Sequence, residues 1–128
     1  MSDETVNLIY GQRLDKRITE LRYEFQEKKS NIDFNIHRVQ SMNLNDERFK
    51  ENLVSILKLV ENVGEAISIG EKILTFTKDQ KYKKWSEKTY PSQQLAAMRM
   101  SDQVGILVIK QTSKNLTAHL KNFNNNQK

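Results

Sequence analysis

The sequence predicts an all-α protein, an elongated antiparallel three-helix bundle led by a long helical hairpin. Three observations carry that expectation. Apolar residues recur at alternating steps of four and three over two long segments, the period of a helix face rather than of a strand. A short polar turn, NLND at 43–46, separates the segments, and so short a link folds one helix back on the other. Hydrophobic residues make up 37% of the chain and charged residues 29%, which suits long helices that each bury one stripe better than a compact globule.

In the first helix the apolar line runs through Leu14, Ile18, Leu21, Phe25, Lys28, Ile32, Asn35, Val39 and Met42, a coiled-coil-like seam. Ser2 is a suitable cap and acids follow it, so the helix is expected over about 4–42, with KKSNID near Ser30 a point of interruption. Lys28 and Asn35 break the seam. Polar seam residues cost stability while fixing register or oligomeric state, so they hint at a specified helix partner.

Asn45 can cap the second helix, with Asp46 and Glu47 in its first turn. Its seam is Phe49, Leu53, Ile56, Val60, Val63, Ile67, Gly70 and Leu74, widened by Leu57, Leu59, Ala66, Ile69, Ile73 and Phe76. So broad a face needs a third helix or a second chain, and Leu53, Val60, Val63, Ile67, Gly70 and Leu74 are the candidate protein interface. Gly64 and Gly70 each cost about 1 kcal/mol inside a helix, and together with Ala66 and Ser68 they form a small-residue surface for close backbone approach.

The stretch KDQKYKKWSEKTYP at 78–91 reads as a basic loop, after which Pro91 and Ser92 start a third helix through Leu95, Met98, Val104, Leu107, Ile109, Leu116, Leu120 and Phe123. Ser101 and Asp102 can recap that helix and so make four. VGILVI at 104–109 fits a buried helical turn or a short strand, and helix is favoured because no partner strand is visible. The expected organisation is one domain over 1–123 and a frayed polar tail at 124–128.

Composition removes several function classes. With no cysteine, disulfides, thiolate catalysis and sulfur-ligated zinc are excluded. The longest apolar run is VGILVI, far short of the roughly 20 residues that span a bilayer. The start MSDETVNLIY lacks a basic-then-apolar leader pattern, so the cytoplasm, or the interior of a host cell, is the expected location.

Catalytic material is thin. His37 lies one turn from Asp33 without a third ligand in view, and His119 has no acidic neighbour at helical spacing. Glu20, Glu24, Glu27, Glu61 and Glu65 read as solvated helix faces, since no histidine accompanies them at the spacing of di-iron bundles. No enzyme activity, cofactor or small-molecule substrate is expected.

Charge is uneven. Residues 1–77 carry 11 basic and 13 acidic side chains, whereas residues 78–128 carry 10 basic and 3 acidic, a net of −2 against +7. In the basic half, Lys78, Lys81, Lys83, Lys84 and Lys88 can neutralise phosphates while Tyr82, Trp85 and Tyr90 stack on bases, the combination single-strand binders use. Arg99, Lys110, Lys114 and Lys121 can extend that field. The competing reading folds the aromatics inward over the bundle end and leaves the lysines for solubility. The function expected first is an interaction or assembly subunit that oligomerises or docks into a larger complex, as an accessory protein of a phage or mobile element would. Nucleic-acid binding is the alternative.

Overall fold

A computed structural model describes residues 2–41 and 49–126 and is helical throughout, with no strand among the described residues. The order is α1 (Asp3–Gln40), α2 (Phe49–Thr77), α3 (Gln80–Thr89) and α4 (Ser92–Asn126). The turn at 43–46, Met42 and the proposed cap Asn45 lie outside the described residues.

Helix α1 begins where its chemistry says it should. The Ser2 hydroxyl accepts from the Thr5 amide at 3.2 Å, and Asp3 and Glu4 sit where the helix dipole favours negative charge. No break occurs at KKSNID, because that segment contains neither proline nor glycine. At 38 residues the helix is about 57 Å long, and the bundle is correspondingly elongated.

Helix α1 packs against α2, α4 packs chiefly on α2, and the short α3 lies on α1. The core takes Ile18, Leu21, Phe25, Ile32 and Val39 from α1, Ile56, Leu59, Val63, Ala66 and Ile73 from α2, Tyr82 from α3, and Ile106, Ile109 and Leu116 from α4. Each such aliphatic side chain contributes roughly 1.5–3 kcal/mol by leaving water. The buried line of α2 therefore steps through 56, 59, 63, 66, 70 and 73, while Leu53, Ile67 and Leu74 flank it half-buried and Val60 is exposed. The third helix that so broad a face needs is α4.

Gly70 is where three helices meet. A β-carbon there would lie 2.6 Å from Cγ1 of Ile106 and 3.3 Å from Cε2 of Phe25, so the missing side chain lets α4 and α1 close on α2. Gly64 does not share this role, since a β-carbon there would meet nothing within 4 Å.

The polar interruptions of the first seam are satisfied within the chain. Lys28 pairs with Glu65 of α2, and Asn35 donates to its own helix at the Asn31 carbonyl, 2.8 Å away. They tie α1 to its own hairpin partner and to itself.

Helix α4 is continuous. VGILVI is helical, and Ser101 and Asp102 do not recap a new helix. The helix runs on to Asn126, into the segment expected as a tail. The fourth helix comes instead from the stretch read as a basic loop.

Candidate functional site

Helix α3 forms because Asp79 caps it and Pro91 ends it. The Asp79 carboxylate accepts from the Tyr82 amide at 3.0 Å, an N-cap that also holds its pKa below the usual carboxylate range. At the far end, proline forces the residue before it out of the helical region, and Tyr90 is extended at φ −106°, ψ 144°. The expected loop at 78–90 is corrected to a ten-residue helix, whose capping signal lay in the sequence as Asp79.

One face of α3 is stitched to α1. The Tyr82 and Tyr90 hydroxyls donate to the two oxygens of the Asp15 carboxylate, each at 2.8 Å. Between them Trp85 packs edge-on to Tyr90 and tilted to Tyr82, and its indole fills the place of a side chain at Gly11. Burial, reinforced by the bond to Asp15, pushes both tyrosine pKa values up. Tyr10 adds a further tie, its hydroxyl donating to Asp79 at 2.9 Å. Below this, Arg22 of α1 grips Asp102 of α4 with both ends of its guanidinium, at 3.0 and 2.7 Å. Burial lowers the Arg22 pKa, but the bonds and charge of Asp102 outweigh it and the net shift is upward.

The residues considered for phosphate and base contact therefore divide. Tyr82 is buried and Trp85 and Tyr90 half-buried in the clasp between α3 and α1, with Trp85 also lining a groove beside Lys81, Lys84 and Lys88, while Lys78, Lys81, Lys83, Lys84 and Lys88 are exposed and make no ion pair among the described residues. Lys81 lies over the Tyr10 ring, 5.5 Å from its centroid. On α4, Arg99 is within 3.9 Å of Glu87 and Lys110 within 3.8 Å of Glu71; Lys114 and Lys121 are exposed. Sequence reasoning did not single out Tyr10, Gly11, Asp15 or Arg22, because each acquires its meaning only from a residue about 70–80 positions away.

Asp33 and His37 are both exposed, and no three histidine or carboxylate ligands come together among the described residues. No described helix is long and apolar enough to cross a membrane.

The candidate interface on α2 needs correction at two positions. Val63 is 2% exposed and Gly70 is covered by Ile106 and Phe25, so neither can meet a partner. The longest uncovered apolar line lies on α4, where Met100 (66% exposed), Val104 (51%), Leu107 (65%) and Val108 (41%) form a stripe at helical spacing. Gln93 and Ala97 extend it on one side, and Gln111 and Asn115, hydrogen-bonded to each other at 3.0 Å, on the other. No charged residue interrupts this outer line. VGILVI looked apolar all round because two faces overlap in it: Gly105, Ile106 and Ile109 turn inward while Val104, Leu107 and Val108 turn outward.

No family model, curated protein or solved structure matches the chain.

Proposed function

We propose that the chain is a non-enzymatic assembly subunit that docks through the outer face of α4. The observation that carries this reading is the uncharged stripe of Met100, Val104, Leu107 and Val108. Four large apolar side chains so exposed at helical spacing are the group that a partner's apolar surface would cover. In a chain that is 29% charged, Gln93, Ala97, Met100, Val104, Leu107, Val108, Gln111 and Asn115 make an uncharged line along α4, with Lys114 at its edge. A cytoplasmic or host-cell location accords with this reading.

The test is sedimentation or light scattering of the wild type and of Leu107→Asp across micromolar concentrations. The wild type should associate, and Leu107→Asp should dissociate it with little change in thermal stability. A monomeric wild type whose mass Leu107→Asp leaves unchanged overturns the reading.

A second reading has its own support in the five exposed lysines of the α3 region, which make no ion pair among the described residues. They suit a polyanion such as nucleic acid held by phosphate contacts, with Tyr82 buried and taking no part. Such binding falls steeply with added salt. Oligonucleotide affinity that ignores ionic strength, or no binding at low salt, removes it.

A further inference from the structure

We infer that the groove between the first turns of α1 and one side of α3 holds an unpaired nucleotide of a single-stranded nucleic acid, its base against Trp85 and its phosphates on Lys81, Lys84 and Lys88. The inference rests on the polyanion reading and gives it a site and a strand type.

The five lysines of the α3 region do not form one field. Lys81, Lys84 and Lys88 recur at steps of three and four, so they line one side of α3 over a rise of about 10 Å. With Trp85 they border a groove of about 630 Å³, within the range of ligand sites, whose opposite wall is Glu4, Asn7 and Leu8 of α1. Lys78 and Lys83 open instead on a hollow of about 390 Å³ on the other side of α3, beside Arg99 and Asp102 of α4. The groove has an aromatic surface and the hollow has none.

The chemistry of the groove suits a ligand that is both anionic and flat. Its three ammonium groups are met by one carboxylate, Glu4, and form no ion pair among the described residues, which leaves a net charge of +2 (three lysines less one glutamate). All of the positive charge lies on the α3 wall. The α1 wall offers Asn7 for hydrogen bonding and the 49% exposed Leu8 for apolar contact, while Glu4 turns phosphates away from it. Trp85 is already held by Gly11, Tyr82 and Tyr90, so it loses little side-chain freedom when a base is laid against it. Single-strand binders combine such an aromatic surface with a cationic track. A duplex keeps its bases stacked inside and presents only phosphates to the lysines. A peptide of acidic residues has charge but no flat face for the indole.

The only tryptophan of the chain lines the groove, so the wild-type protein reports on its own site. Trp85 emission of the full chain is followed during titration with oligodeoxythymidine at low salt, with a duplex of equal phosphate number and poly-glutamate as comparisons. The single strand should quench Trp85, added salt should restore the emission, and neither comparison should match that quenching. Two double variants, each lacking two exposed charges, locate the contact: Lys84→Ala with Lys88→Ala in the groove, and Lys78→Ala with Lys83→Ala in the hollow. The groove pair should lower the slope of log affinity against log salt by about 1.4, two contacts at about 0.7 each, and the hollow pair should leave it unchanged. Salt-sensitive binding that leaves Trp85 emission unchanged, or that both pairs weaken equally, overturns the inference while the polyanion reading stands. Quenching by the duplex or by poly-glutamate as strong as by the single strand overturns it too. No binding at low salt overturns both.

Discussion

Trp85 of α3 lies across Gly11 of α1 with no space for a side chain between them, since a β-carbon on Gly11 would overlap the indole. Glycine inside a helix ordinarily costs about 1 kcal/mol relative to alanine. Here the cost is offset by the seat it provides for the only tryptophan of the chain.

Gly11→Ala should therefore destabilise the protein despite its better helix propensity, by about 1–3 kcal/mol from overpacking. Gly64→Ala, which meets open space, should stabilise it by up to about 1 kcal/mol. Urea unfolding of both variants checks the pair. If the two shift stability in the same direction, the Trp85 contact is not the reason for Gly11.

The clasp predicts a pH dependence. The Tyr82 and Tyr90 pKa values are raised above the ordinary 10.0, so their contribution is fully present below pH 10 and is lost as pH climbs through the higher folded values. Tyr82→Phe should cost about 1–2 kcal/mol at neutral pH and flatten part of the alkaline decline. Equal alkaline slopes for wild type and variant, measured by thermal unfolding from pH 8 to 11.5, would contradict the assignment.

Arg22 and Asp102 form the polar link between α1 and α4, and the Asp102 side chain is only 8% exposed. A double-mutant cycle with Arg22→Met and Asp102→Leu should give a coupling of about 1–3 kcal/mol, discounted from a fully buried pair because Arg22 remains partly solvated. A coupling below about 0.5 kcal/mol would place this pair among ordinary surface ion pairs.

Val63→Asp should unfold the chain, because an unpaired charge in its buried site costs several kcal/mol. Val60→Asp, three residues earlier, should be tolerated, since Val60 is 42% exposed. Circular dichroism melting separates the two, and equal destabilisation would mean that α2 is rotated from the face described.

The hairpin was legible because helical periodicity is a local property, and Ser2 announced the start of α1 through its own chemistry; the continuity of α4 was not, since Ser101 and Asp102 offered a second cap inside it. The nature of 78–90 was not legible in the same way. Its lysines suggested an irregular loop, although Asp79 and Pro91 frame one short helix, and the inward turn of Trp85 depends on a glycine 74 positions earlier. The outer face of α4 was hidden for a different reason. In VGILVI the inward and outward residues are all apolar, so hydropathy alone cannot say which side faces the core. The two seam polars, Lys28 and Asn35, suggested an external partner because Glu65 and Asn31 cannot be matched to them without the fold.

The clasp also orders events in time. Contacts such as Tyr10 with Asp79 and Tyr90 with Asp15 join residues 69 and 75 positions apart, so loop-closure entropy opposes them until the α1–α2 hairpin has brought the chain ends of that loop together. Shielding of Trp85 therefore marks completion of the tertiary structure rather than the growth of helices, and in refolding its emission should lag the far-ultraviolet signal.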